Sequence, residues 1–89
     1  MQRMEGVDRY YVYVIHSEKA AKFYVGQTRN LEKRIDKHNY GNGRYTSDKG
    51  EWKLMYFEEF ESRGEAMKRE KFFKTGKGRE YWKSKLVVE

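Results

Sequence analysis

Across residues 9–15 aromatic and β-branched residues follow one another. Tyr11 and Tyr13 fall on one parity, Val12 and Val14 on the other. Side chains of a strand point alternately to its two faces, so the run predicts a strand with tyrosines on one side and valines on the other. Residues 16–21 read as a turn. Residues 22–26 read as a second strand, antiparallel to the first in a hairpin. Gly26 ends that strand, where a residue without Cβ permits close backbone approach.

The period then changes from two to that of a helix. Leu31 and Ile35 lie four apart and form an apolar stripe, and Arg34 and His38 form a second stripe beside it. Asn30 is the expected N-cap of a helix over about residues 31–39. Residues 40–50 have three glycines and no apolar periodicity, which predicts a long loop of the kind that often carries function. A third strand is expected over residues 52–60. Ser62 and Glu65 have the spacing of a capping box that opens a helix running to about Lys74. Residues 75–78 are expected to break it, and residues 79–86 to form a last short helix. The order β-β-α-β-α-α predicts a small α+β domain: a three-stranded, mainly antiparallel sheet flanked by helices. A chain of 89 residues is read as one domain, with its core over about residues 9–86.

Composition narrows the chemistry. The absence of cysteine excludes disulfides, thiolate-bound zinc and cysteine nucleophiles, and fits a reducing compartment. No apolar run reaches the roughly 18–20 residues of a membrane span, and the first residues lack the apolar core of a signal peptide. A soluble, cytoplasmic protein is therefore expected. The net charge of +6 and eight tyrosines point to a polyanion, most simply nucleic acid, although 14 acidic residues are interleaved with the cations.

Glu70 breaks the helical pattern. Ala66, Met67 and Phe73 lie at −4, −3 and +3 from it, the near neighbours on one helical face. A carboxylate there is either a boundary residue paired with a nearby cation or a group held by a metal. Arg34 and His38 project together from the first helix. They either belong to a solvated face or grip a phosphate, with the imidazole as proton carrier. Tyr13 and Tyr24 sit on neighbouring strands. Their bland role is amphipathic packing; beside a divalent metal and an arginine, a lowered phenol pKa would help to activate water. Arg44, Tyr45, Thr46, Ser47 and Lys49 in the loop have the chemistry of backbone-phosphate contacts. Arg63, Lys68, Arg69, Lys71, Lys74, Lys77 and Arg79 add cations later in the chain. Tyr81 and Trp82 are able to stack on bases, but anchoring of the last helix suits Trp82 better.

Taken in order, Tyr11-Val12-Tyr13, Tyr24-Val25-Gly26, the segment from Leu31 through Arg34 to His38-Asn39, and Glu70 resemble the GIY-YIG nuclease domain. The likeness covers about residues 9–86. It is nearest to small stand-alone bacterial members and similar to the N-terminal nuclease domain of the excision-repair protein UvrC. The resemblance implies a metal-dependent endonuclease acting on nucleic acid, DNA above all, in repair or processing. Glu70 would hold a single Mg²⁺ or Mn²⁺. Tyr13 or Tyr24 would help to activate the attacking water. Arg34 would bind the scissile phosphate, His38 would assist proton transfer, and Gly26 would serve packing. Nucleic-acid contacts are expected from Arg44, Tyr45, Lys49, Lys74 and Lys77. Three positions depart from the family pattern. Tyr11 stands where the first motif has glycine, Gln27 where some members have lysine, and a downstream asparagine has no counterpart between Arg79 and Ser84. The other readings are a binding module that keeps the fold and its basic surface without turnover, and a protein-interaction domain whose charge is incidental.

Overall fold

The computed structural model describes residues 9–39 and 50–86. The expected loop contacts Arg44, Tyr45 and Lys49 lie outside the described residues. The elements are β1 (Tyr10–Ser17), β2 (Lys22–Thr28), α1 (Leu31–Asn39), β3 (Trp52–Phe60), α2 (Arg63–Phe73) and α3 (Gly76–Lys85). The fold is α+β, and both strand pairs are antiparallel in the order β2-β1-β3. β1 is therefore the central strand.

A central strand with helices on both faces buries both parities of its side chains. Val12 and Val14, with Val25, pack against Ala66, Phe73 and Trp82 of α2 and α3. Tyr13 and Ile15, with Trp52, pack against Tyr24 and the Leu31–Ile35 stripe of α1. The four core positions from Val12 to Ile15 are at most 1% exposed. Burying each side chain contributes about 1.5–3 kcal/mol, which is how so short a chain holds three layers. The Trp82 indole donates to the Phe73 carbonyl at 3.0 Å, so the largest apolar side chain of α3 leaves no orphan N–H inside. One bulge interrupts the β1–β3 ladder: Val14 pairs with Tyr56 but Ile15 with Leu54, so Met55 is the extra residue.

β1 runs two residues further than its apolar pattern predicts. Ser17 still pairs, with Lys22 on one side and Trp52 on the other. Its hydroxyl accepts from the Ala20 N–H at 3.1 Å, a local bond that tightens the turn into β2. The helix ends follow the expected caps. Asn30 Oδ1 accepts from Lys33 N, and Ser62 Oγ accepts from Glu65 N.

The start of α3 corrects the sequence reading. Residues 75–78 do not separate two helices by a break that lasts to Arg79; α3 begins at Gly76. Thr75 caps it, its Oγ1 accepting from Gly78 N at 3.0 Å. Gly78 is buried in the first turn because α3 lies against the end of α2. A Cβ on Gly78 would stand 1.8 Å from the Phe72 carbonyl oxygen. The glycine there serves helix–helix approach rather than helix termination.

Candidate active site

Tyr13 sits at the middle of β1 with 1% of its surface exposed, on the face covered by α1. Its ring crosses the neighbouring strand at Gly26, its partner in the β1–β2 ladder. A Cβ on Gly26 would lie 2.6 Å from the Tyr13 hydroxyl oxygen. Gly26 thus opens the path along which the phenol passes over β2. The hydroxyl ends 3.1 Å from His38 Nε2.

His38 is brought there by the register of α1. Leu31 and Ile35 dock on the Tyr13 face, and one further turn places His38, 6% exposed, against the sheet. The Tyr24 ring stands 4.9 Å from the imidazole and 6.4 Å from the Tyr13 ring. Trp52 closes the cluster at 6.3 Å from both Tyr24 and His38. Asn39 fixes the end of α1 to β3. Its Oδ1 accepts from Trp52 N at 2.6 Å and its Nδ2 donates to Trp52 O at 3.2 Å, so the amide imitates a pairing strand. The bond between Asn39 and Trp52 escaped sequence reasoning, because nothing in the local pattern reports a contact between residues 13 positions apart.

The electrostatics of the pair follow from burial. Burial is the largest influence on His38 and lowers its pKa from 6.5; Arg34 and Lys37 lower it further. The imidazole is therefore neutral at pH 7. Burial likewise raises the Tyr13 phenol above its ordinary value. Tyr24 and Glu70 add to the rise, and Arg34 opposes it. Arg34 thus acts in the direction that the sequence reading envisages, and burial outweighs it. Tyr13 and His38 face each other as two neutral groups, and the proton they share is carried by one or the other according to the imidazole tautomer.

Glu70 approaches from the opposite face. Val25 and Gln27 share a parity that points to α2, while Tyr24 and Gly26 point to α1. Gln27 Nε2 donates to Glu70 Oε1 at 2.8 Å, and Lys74 Nζ binds Oε2 at 2.9 Å. The carboxylate at Gln27 and the Tyr13 hydroxyl at Gly26 therefore flank the same end of edge strand β2 from its two faces, near enough for the Glu70 charge to act on the Tyr13 phenol. The expected apolar surroundings of Glu70 are only partly found. Ala66 and Phe73 are buried, but Met67 is 46% exposed. Glu70 is a boundary residue, and the boundary explains how a carboxylate is tolerated there.

The described residues hold no group of three or more His, Cys, Asp or Glu side chains suited to a metal. Zinc, which takes three or four protein ligands, does not fit this donor set. A single half-buried carboxylate fits Mg²⁺, which keeps several waters and is completed by substrate phosphate oxygens.

Arg34 is half-buried and lines a groove of about 830 Å³ at the end of β2. Gln27, Thr28 and Asn30 line it too, and Arg29, Lys33, Lys37 and Arg63 bring further cations against one acid, Asp36. The sequence reading noted Gln27 only as a departure from the family pattern and did not single out Arg29, Lys33 or Lys37. Only the packing of α1 and α2 around β2 gathers them. Of the expected nucleic-acid contacts, Lys74 stands at Glu70, while Lys77 is exposed in the first turn of α3. Tyr11, in the glycine position of the first motif, packs edge-on against Phe57 at 6.0 Å. No helix among the described residues is long and apolar enough to cross a membrane.

Residues 9–84 match the GIY-YIG catalytic domain. A UPF0213 protein of Clostridium perfringens is 49% identical over 65 residues, covering 72% of this chain and 69% of that one. A UPF0213 protein of Staphylococcus saprophyticus is 40% identical over 70 residues, covering 78% and 84%. The solution NMR structure of a UPF0213 protein from Bacillus halodurans superposes with a TM-score of 0.53 at 32% identity, covering 85% of this chain and 83% of that one.

Proposed function

We propose that this chain, which belongs to the GIY-YIG catalytic-domain family, is a divalent-metal-dependent endonuclease that hydrolyses DNA phosphodiester bonds in repair or processing. The observation that carries the reading is the 3.1 Å contact between the Tyr13 hydroxyl and His38 Nε2, with the charge of Arg34 acting on both groups. Two neutral groups in hydrogen-bond contact, under the charge of an arginine that lines a basic groove, are equipped to move a proton near a phosphate bound by that arginine.

Arg34 binds a non-bridging oxygen of the scissile phosphate, and its fixed charge stabilises the negative charge that builds up there. The Tyr13 O–H donates to His38 Nε2, leaving the phenol oxygen able to accept from the attacking water. As the water oxygen bonds to phosphorus, its proton passes to the phenol oxygen and the phenol proton passes to His38, while the P–O bond to one sugar oxygen breaks and that oxygen leaves with the electron pair and takes a proton from solvent. Tyr13 is neutral before and after, so its raised pKa is no obstacle. Tyr24 and Trp52 shield the relay from bulk solvent. Glu70 would hold the divalent cation, which supplies Lewis-acid stabilisation and a more acidic bound water. Gln27 orients that carboxylate.

The test is plasmid nicking with Mg²⁺ or Mn²⁺ by the wild type, Glu70→Ala and Arg34→Ala. Metal-dependent nicking that disappears in both variants is expected. Nicking that survives in Glu70→Ala removes this site assignment. One observation favours a second reading, a binding module without turnover: both Glu70 oxygens already have protein partners. Salt-sensitive DNA binding with no nicking under any divalent metal selects that reading.

A further inference from the structure

A second groove, of about 570 Å³, lies between edge strand β2 and α3. Lys22 and Phe23 of β2, Lys74 after α2, and Arg79, Trp82 and Lys83 of α3 line it. Its described lining includes four cations and no carboxylate, whereas the first groove contains Asp36. Trp82 is 2% exposed and belongs to the core, but Phe23 is 37% exposed. The Phe23 ring meets Trp82 edge-on at 5.0 Å, and Lys83 Nζ lies 5.8 Å from its centroid. A part-exposed aromatic ring braced by Trp82 and by His16, whose ring lies 4.5 Å away, in a groove lined by four cations, combines a stacking surface with charges for a backbone.

We propose that this groove binds a single-stranded segment of nucleic acid, with phosphates on Lys22, Arg79 and Lys83 and an unstacked base on Phe23. A duplex keeps its bases stacked on one another and offers Phe23 no free face, whereas a single strand offers one at every residue. The groove reaches the candidate active site through two shared residues. Tyr24 lines it and touches His38, and Lys74 lines it and binds Glu70. The two grooves lie toward opposite ends of β2, with Gly26 between the residues that line them. A substrate that fills both carries a single-stranded tail beside the cut, as a flap or a gapped duplex does. That substrate class rests on the nuclease reading; the binding of a single strand does not.

The experiment measures anisotropy of a short fluorescein-labelled oligothymidylate and of a blunt duplex, in EDTA, at low and physiological salt. The wild type is compared with Phe23→Leu, Phe23→Tyr and the double variant Arg79→Ala/Lys83→Ala, each with its fold checked by circular dichroism. Phe23→Leu is expected to weaken oligothymidylate binding about tenfold through lost stacking, and Phe23→Tyr to retain it. The double variant is expected to lower the salt slope by about 1.4, as two phosphate contacts are lost. Duplex binding is expected to change less than about twofold, because its phosphates sit in the other groove. Absence of oligothymidylate binding in the wild type overturns the proposal. So do equal losses for single strand and duplex, or displacement by an acidic polypeptide with no effect of Phe23→Leu. Plasmid nicking scored in parallel separates the two readings. Nicking with unaltered oligothymidylate binding in the variants removes this inference alone, and groove-dependent binding without nicking removes the nuclease alone.

Discussion

The Tyr13 hydroxyl occupies the space that a side chain on Gly26 would fill, with 2.6 Å between its oxygen and the position of the missing Cβ. The Tyr13 ring carbon bearing the hydroxyl is only 2.8 Å from that position, and a Tyr24 ring carbon 3.2 Å. One glycine therefore sets the path of both tyrosines.

Gly26→Ala is expected to push the Tyr13 phenol off His38. The cost of such overpacking is about 1–3 kcal/mol, a loss that urea unfolding detects without abolishing the fold. Plasmid nicking should fall by more than stability alone explains, at least about tenfold, because a displacement near one ångström at a reacting group costs rate steeply. Nicking equal to wild type in a folded Gly26→Ala protein would remove the Tyr13–His38 contact from the mechanism.

Gly78→Ala tests a different approach, that of α3 to α2. The obstacle is backbone: the Phe72 carbonyl oxygen at 1.8 Å and its carbon at 2.5 Å. Neither moves without parting the helices that bury Phe73 and Trp82. A loss of about 3 kcal/mol or more is expected from urea or thermal unfolding, well above the ordinary penalty for overpacking a flexible site.

Acid should weaken the fold in two stages. The His38 pKa is lowered in the folded state by burial, then by Arg34 and Lys37. The stability this contributes is complete above pH 6.5, the ordinary value, and is lost as pH falls through the folded value. Burial alone would raise the Glu58 carboxyl, but hydrogen bonds from Arg69 at 2.7 Å and from Tyr56 overcome it and hold Glu58 below 4.5. Its contribution is present above 4.5 and lost below it. Melting temperature against pH should therefore show two falling limbs. His38→Gln should flatten the one below 6.5, and Glu58→Gln the one below 4.5.

Lys74 pairs with the Glu70 oxygen that the proposed cation would take. Lys74→Met is expected to tighten Mn²⁺ binding about two- to fivefold, the size of a partly screened charge at a few ångströms. Electron paramagnetic resonance of free Mn²⁺ reads this without any turnover. Gln27→Ala should act the other way, since it removes the 2.8 Å hydrogen bond that orients the carboxylate. Equal affinities in all three proteins would argue against Glu70 as the metal ligand.

What the sequence by itself determined is local. Alternating valines and tyrosines specified β1 and its two faces, Asn30 and Ser62 marked helix starts, and the spacing of Leu31 with Ile35 set the stripe on which α1 docks. Each is a relation within a few residues, where the period of a strand or helix dictates which side chains share a face. The motif residues Tyr13, Tyr24, Gly26, Arg34, His38 and Glu70 were legible as an ordered set only through their resemblance to the GIY-YIG family, since no local period links them. Only the tertiary structure decided that Glu70 meets Gln27 from the far face, 43 residues away, and that Asn39 ties α1 to Trp52. It also decided that Gly78 serves helix contact rather than helix termination, and that Phe23 is part-exposed in a groove lined by four cations. Those relations depend on the β2-β1-β3 order and on helices covering both faces. Distances between elements come from packing, which no window along the chain contains.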